Sequence, residues 1–486
     1  MKRFQNILFG TLLSSILLAA PQSWNGKADS PKPAPNRRHT QKVKAVKSGD
    51  YDLALIGDSI IQVFGDYGGK YNALRPAWKK YYAPRHAINL GYSGYKTQQV
   101  LWNLQNGELD SKKHPKVVML LIGTNNASDR APGHPHTAED IFDGTKAIVD
   151  LIRKKLPTTK ILLLRIFPRG GKDQKGVSPP IFHSSPQCIE TCFKAGEMTS
   201  KLADGEHVFW LDINYTFLRP DGSINTDLLW DLLHPSPAGA DAWAQAVEPT
   251  LAHLMGDKPI VDPQPRSVIP ATRKDGSYNW MKRHQAVIAA HNTNPAIVFM
   301  GDSITHHMGG TPQPTGPFRN SRGSSFWPTV CKAAGGSGLN MGFGADWTQH
   351  LLWRIDHGEL DGISPRYVVL MIGTNNVLNN DDVKNTVAGI RACVLRIRAK
   401  VPHAKLIIMG LLPCRNPASR PERAKVIAVN KAVKDLADEA KCDFLDIGDK
   451  FLDANGNIRR TLMSDAIHPT KDGYKIWSDA LLPLLK

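Results

Sequence analysis

The sequence predicts an α/β protein made of two tandem three-layer α/β/α domains, each with a parallel sheet of about five strands. Three observations predict it. Short apolar runs alternate with longer amphipathic stretches, the pattern of strands covered on both faces by crossover helices. One unit is written twice: Ser59 returns as Ser303, Trp102 as Trp353, Asn125 as Asn375 and His234 as His468, in the same order. That repeat is domain-sized, not a solenoid period. The chain has 486 residues, enough for two or three domains of about 150 residues.

In the first copy, 53–56, 87–90, 117–122, 161–166 and 208–211 read as strands, and 100–104, 138–155 and 238–254 as helices. In the second, 296–300, 367–372, 405–411 and 444–447 read as strands, and 384–400, 424–441 and 471–485 as helices. The basic residues at 153–155 sit at a helix end, where cations meet the dipole favourably. The boundaries expected are a signal peptide at 1–28, a flexible lead-in at 29–40, a first domain at 41–256, a linker at 257–276 and a second domain at 277–486. Pro259, Pro263, Pro265 and Pro270 mark the linker.

The N-terminus has the pattern of a secretory signal. Lys2 and Arg3 precede an apolar stretch at 7–20, and Gly26-Lys27-Ala28 offers a cleavage site after Ala28. The protein is therefore expected to be secreted or periplasmic. The first cysteine is Cys188, so a lipoprotein anchor is excluded. No internal stretch is apolar for the ~20 residues of a membrane span, and no stable membrane insertion is expected. The net charge of +17 reads as a basic surface. No dense basic run with interleaved aromatics appears, so no nucleic-acid partner is expected. Six cysteines are too few for a disulfide scaffold, although Cys188 and Cys192 could pair in an oxidising compartment.

All the repeated motifs fall at the carboxyl ends of strands, where open α/β sheets hold their ligands. Ser59 follows the first strand, Asn125 follows the third, and Asp231 and His234 precede the last helix. The chemistry this suits is acyl transfer by a serine nucleophile. A hydroxyl needs a base, and His234 is the candidate. The base needs an acceptor on its other nitrogen, and Asp231 stands three residues earlier. The developing oxyanion needs donors placed in advance; the Ser59 N–H, a glycine-loop N–H and the Asn125 amide would supply them. Ser303, Asn375, Asp465 and His468 repeat the set. Each motif alone is common in turns and helix caps; their order and duplication carry the argument.

On these residues the sequence resembles the SGNH hydrolases, also called GDSL esterases and lipases, across both repeats. That family is marked by Ser in Gly-Asp-Ser, a loop Gly, Asn in Gly-x-Asn and His in Asp-x-x-His. Val100-Leu101-Trp102, Asn106-Gly107-Glu108-Leu109 and Gly123-Thr124-Asn125-Asn126 are similar to the catalytic subunits of brain-type platelet-activating-factor acetylhydrolase. Trp280-Met281 and His284 add to that likeness. The resemblance implies a flavodoxin-like sheet and ester hydrolysis through an acyl-serine, with no metal or other cofactor. It assigns Ser59 as nucleophile, Gly94 and Asn125 as oxyanion donors, and Asp231 and His234 as acid and base. In the second copy it assigns Ser303, Asn375, Asp465 and His468. There the glycine position is Ala345, which carries a penalty if the backbone needs positive φ.

The function expected is a secreted esterase acting on short-chain carboxylic esters, with O-acetyl groups on a carbohydrate as the substrate class. Ile60 and Leu233, with Ile304 and Ile467 in the second copy, are expected to form a short acyl pocket beside the oxyanion donors. The alternatives are a lipid esterase or lysophospholipase, and a glycan-binding protein with one or both sites inactive. Gly133-His134-Pro135-His136 and His306-His307 could suggest metal ligands, but no carboxylate or cysteine stands at ligand spacing. Trp102 and Trp353 read as packing residues.

Overall fold

The computed structural model describes residues 26–65, 69–129, 135–171, 174, 182–274 and 276–486. Five strands form the first sheet: β1 (Leu53–Gly57), β2 (Ala87–Gly91), β3 (Val117–Leu121), β4 (Lys160–Leu164) and β5 (Val208–Leu211). Five more form the second: β6 (Ile297–Gly301), β7 (Gly338–Gly342), β8 (Tyr367–Met371), β9 (Lys405–Met409) and β10 (Asp443–Leu445). Both sheets are parallel, in the orders β2-β1-β3-β4-β5 and β7-β6-β8-β9-β10. These are two α/β/α domains of one topology. The central strands are apolar on both faces because helices cover both faces; β1, β3, β6 and β8 are buried throughout.

The strand order reverses at β1 and β3, and again at β6 and β8. The chain leaving β1 crosses to β2 on one side, and the chain leaving β2 returns to β3 on the other. The crevice between those two exits is the switch point at which such sheets bind ligands. The turn after β1 is tight for a steric reason. A Cβ on Gly57 would collide with the Leu121 carbonyl oxygen, and one on Gly301 with that of Met371. Asp58 then caps the short helix Ser59–Gln62 by accepting from the Ile60 N–H at 2.9 Å, and Asp302 does the same for Ile304. A glycine followed by a capping aspartate thus fixes where each serine starts its helix.

Helix Ala138–Lys155 begins at a reciprocal cap between Thr137 and Asp140 and ends on Arg153, Lys154 and Lys155, as its charges suggest. Several helices are not evident in the sequence pattern, among them Arg37–Ser48, Pro186–Met198, Trp280–Ala289 and Trp327–Ala334. The first corrects the flexible lead-in. Residues 37–40 are helical; just before the lead-in, Ala28, the last residue of the expected signal segment, is buried, and its carbonyl accepts from Thr97 Oγ1 at 2.8 Å. Part of the expected linker is docked likewise: Ser267 is buried and its carbonyl accepts from Thr348 Oγ1 at 2.8 Å. Most of the expected signal segment lies outside the described residues.

The edge of the first sheet packs on helix Val383–Lys400 of the second domain. Lys400 Nζ lies 2.7 Å from Asp361 and 3.4 Å from Asp212, and Arg165 donates to Asp212 at 2.8 Å. The Arg396 guanidinium covers the Tyr215 ring at 3.8 Å. Burial pushes the Asp212 carboxyl up, but Arg165 and Lys400 outweigh it and hold it at about 2.

Gly57→Ala and Gly301→Ala should each cost about 1–3 kcal/mol, because the new methyl would strike a backbone carbonyl as well as the Ile61 or Thr305 side chain. Urea titration checks this, and an unchanged midpoint would contradict the packing described.

Candidate active site

In the first domain the Ser59 hydroxyl, from the turn after β1, lies 2.9 Å from His234 Nε2. His234 Nδ1 lies 2.9 Å from Asp231 Oδ2. The other carboxylate oxygen, Oδ1, accepts from the backbone N–H groups of His234 at 2.7 Å and Leu233 at 3.1 Å. The carboxylate thus binds ring and backbone together, which sets the ring's orientation. The Asp-x-x-His loop closes this tightly because Leu232 takes a left-handed conformation, φ +70°, stabilised by Gly170 N–H donating to its carbonyl at 3.1 Å. Phe182 stands edge-on to the imidazole at 5.0 Å.

The second domain repeats the chain of contacts. Ser303 Oγ lies 2.8 Å from His468 Nε2, and His468 Nδ1 lies 2.7 Å from Asp465 Oδ2. Ala466 takes the left-handed conformation of Leu232, φ +61°. The environments differ. The Asp231 and His234 side chains are 0% and 6% exposed; those of Asp465 and His468 are 46% and 21% exposed. Burial pushes the Asp465 carboxyl up, but the His468 N–H and imidazole and the Ile467 N–H prevail and hold it at about 2.

Each expected oxyanion asparagine is tied to the loop that carries the glycine position. Asn125 Nδ2 donates to the Tyr95 carbonyl at 3.0 Å, and Asn375 Nδ2 to the Asp346 carbonyl at 2.9 Å. Each amide keeps a second hydrogen to donate. The N–H groups of Ser59, Gly94, Ser303 and Ala345 have no acceptor among the described residues, whereas those on either side of Gly94 and Ala345 do. Gly94 has φ +75° and Ala345 φ +59°. The suspected departure is real: the position is left-handed in both copies, and in the second an alanine holds it at a cost of roughly 1–2 kcal/mol.

The chain matches the GDSL-like Lipase/Acylhydrolase family over residues 55–242 and 299–476, most of its length. It belongs to that family. The alpha2 subunit of platelet-activating factor acetylhydrolase IB from Rattus norvegicus is 32% identical over 222 residues, 46% of this chain and 85% of that one. The alpha1 subunit from Homo sapiens is 32% identical over 218 residues, 44% and 87% of the two chains. Among solved structures, a GDSL-like lipase from Bacteroides thetaiotaomicron aligns with TM-score 0.33 and 21% identity over 42% of this chain and 95% of that one. An acetylxylan esterase from Geobacillus stearothermophilus aligns with TM-score 0.31 and 23% identity over 39% and 93%.

In this GDSL acylhydrolase three of the four residues expected to line an acyl pocket are buried. Ile60 and Leu233 belong to the apolar core with Phe64, Phe167 and Trp243, and Ile304 to that of the second domain. Only Ile467 is half-buried. His306 stacks on Phe318 at 3.9 Å, and His307 stands edge-on to His468 at 5.1 Å, so both rings are packing partners within the site. Burial pushes the His307 imidazole down to about 4. His134 lies outside the described residues; His136 is buried. Cys188 and Cys192 are free buried thiols four positions apart on helix Pro186–Met198.

Sequence reasoning missed the role of the aspartate before each serine. Asp58 is fully buried, and Oδ2 has no hydrogen-bond partner among the described residues. Burial pushes its carboxyl up to about 6 against the Ile60 N–H, and that of Asp302 up to about 7.

Ala345→Gly should stabilise the protein by about 1 kcal/mol by relieving the left-handed alanine, and Gly94→Ala should cost a similar amount. A Cβ at Gly94 meets nothing within 4 Å, so the loss is conformational and not steric. Urea titration of both variants checks this. A separate expectation concerns pH. Unfolded, Asp58 ionises near its ordinary value, about 3.9; folded, it keeps its proton to about pH 6. The cost of the buried charge therefore builds between those values and is full above them. Asp58→Asn keeps the cap without the charge. It should exceed wild-type stability by on the order of 2 kcal/mol at pH 8, with the gap closing below pH 4. A gap that widened on acidification would refute the assignment.

Proposed function

We propose that both domains hydrolyse short-chain carboxylic esters through an acyl-serine, with O-acetyl groups on carbohydrates as the substrate class, in a secreted or periplasmic setting. The observation that carries the esterase reading is the serine–imidazole–carboxylate chain, closed at hydrogen-bond distance in both copies. His234 Nε2 takes the proton as Ser59 Oγ attacks the ester carbonyl. Asp231 holds the Nδ1 proton and balances the imidazolium. The carbonyl oxygen, now negative, meets the N–H groups of Ser59 and Gly94 and the Asn125 amide. The imidazolium returns its proton to the leaving alcohol, and water then attacks the acyl-serine with the same base. Ser303, His468, Asp465, Ala345 and Asn375 perform the same steps in the second domain.

Acetyl preference is supported by the acetylhydrolase names of the relatives and by the burial of Ile60 and Leu233, which flank the nucleophile and the base in sequence. The same names favour a lipid alcohol, and that is the second reading. Against it, the exposed large apolar side chains among the described residues are Val261, Ile269, Met281, Ile288 and Ile427. None of them lies on a segment that carries a member of the site, although Met281 and Ile288 share one face of helix Trp280–Ala289. A lipid-facing enzyme needs a contiguous apolar patch.

A fluorophosphonate probe should label Ser59 and Ser303. Each single Ser→Ala variant should keep part of the p-nitrophenyl acetate turnover, and the double variant should lose it. Label on one serine only, with the other domain inert to every ester tried, would end the two-site reading. Across a p-nitrophenyl ester series, kcat/KM should be highest for acetyl and fall steeply by octanoyl. Each added methylene gains only about 0.8 kcal/mol when it fits and loses more when it clashes. Leu233→Ala should move the first site's preference to longer acyl groups. Acetylated xylan and acetylated phospholipid, offered side by side, decide the alcohol.

A further inference from the structure

We infer that Gln62 and His306, three positions after the two serines, are positioning residues that lock each oxyanion loop to its nucleophile helix. The inference rests on the esterase reading above and goes beyond it. Across 91–95 the backbone N–H groups are nearly all committed. Gly91 donates to Asn89 Oδ1 at 2.9 Å, Tyr92 to the Gly57 carbonyl at 3.1 Å and Tyr95 to the Tyr92 carbonyl at 3.2 Å. Ser93 donates to the Gln62 side-chain oxygen at 2.6 Å. Gly94 alone is left to face a substrate. In the second domain Gly342 donates to Asn340 Oδ1 at 2.8 Å, Phe343 to the Gly301 carbonyl at 3.0 Å and Asp346 to the Phe343 carbonyl at 3.2 Å. Gly344 donates to His306 Nδ1 at 3.2 Å, and Ala345 alone is left.

Gln and His share one property useful here: an sp² acceptor that reaches outward from the helix. The acceptor sits one turn along the helix that the serine begins, so serine and acceptor lie on one face. The bond it makes is to the residue immediately before the oxyanion donor. Each clamp therefore fixes the distance between nucleophile and donor, the quantity on which oxyanion stabilisation depends. The loop approaches the helix closely enough to need glycine: a Cβ on Gly91 would strike the Gln62 backbone nitrogen, and one on Gly342 that of His306. The His306 ring is buried, stacked on Phe318 and edge-on to Tyr278 at 5.4 Å. Accepting at Nδ1 requires the neutral ring with its proton on Nε2.

The test uses the full chain with one site silenced. In a Ser303→Ala background, Gln62→Ala should lower kcat for p-nitrophenyl acetate at least tenfold with KM within twofold, and Gln62→Glu, which keeps an acceptor, should retain more activity. In a Ser59→Ala background, His306→Ala should show the same loss, while His306→Gln, which imports the first domain's solution, should restore kcat to within threefold. Fluorophosphonate labelling rates should follow kcat, and melting temperatures identify any variant that merely unfolds. Alanine variants with unchanged kcat in a folded protein, or a His306→Gln variant as slow as His306→Ala, would overturn the clamp while leaving the esterase reading intact. Backgrounds that turn over no ester and take no label would overturn that reading, and the clamp with it.

Discussion

The structure depends on how closely the end of β1 lies against β3. At Gly57 the neighbouring carbonyl leaves no room for a side chain, and Gly301 meets the same constraint beside Met371. The chain must leave the sheet there, and the next residue must cap a helix, because the helix begins at once and its first N–H groups need an acceptor. Asp58 and Asp302 meet that need at the cost of a buried carboxylate. The serine is then the first residue of the helix, at the mouth of the crevice, with the helix's last residue turned toward the loop after β2. Nucleophile, oxyanion loop and Asn-bearing loop are brought together by this one turn. The histidine loop reaches them from the far end of the sequence.

The two copies keep this plan and solve its details differently. Behind the first oxyanion loop a buried Glu108 collects the His39 ring at 3.0 Å, the Tyr92 hydroxyl and the Asn103 amide at 3.3 Å. Behind the second, Glu359 takes His284 at 3.0 Å and Arg354, and Arg354 also holds Asp346 at 2.9 Å. Burial pushes the Asp346 carboxyl up to about 6, even with Arg354 beside it. A buried ion pair is an expensive way to hold a loop. It stands behind the loop whose left-handed residue is an alanine, where the backbone needs more holding than a glycine would. The second histidine pair is also the more exposed, so solvent screens its carboxylate more than it screens Asp231.

The junction between domains is unequal in a related way. The edge of the first sheet is covered by helix Val383–Lys400, and Asp212 is shared between Arg165 of its own domain and Lys400 of the other. At the corresponding edge of the second sheet, Phe444, Asp446 and Asp449 line an open groove with a volume of about 320 Å³. One face meets the other domain and its counterpart lines an open groove, so the two similar domains pack without symmetry.

Much of this could be read in the sequence, for physical reasons that differ by element. Strands such as 117–121 and 367–371 are continuous apolar runs because both faces are buried, and a run of that kind is costly to leave in water. The catalytic motifs could be read because the chemistry restricts residue type at each position, and because each occurs twice. Strand β7 was less visible: its run Gly-Leu-Asn-Met-Gly is shaped by close approach to the serine helix rather than by burial alone. Helix Arg37–Ser48 is strongly polar and is held by tertiary contact, so its pattern resembled a free segment. The left-handed Leu232 and Ala466 could not be foreseen, since nothing in a leucine signals positive φ; only the need to close Asp-x-x-His imposes it. Nor could Gln62 and His306 be paired as equivalents, because they share an acceptor and not an amino-acid type. The sequence by itself determined the two parallel sheets, the order of the motifs and the reaction class they suit. Tertiary structure decided which N–H groups remain free, which carboxylates are buried and which apolar side chains join the core, because each of these depends on what lies across a contact rather than along the chain.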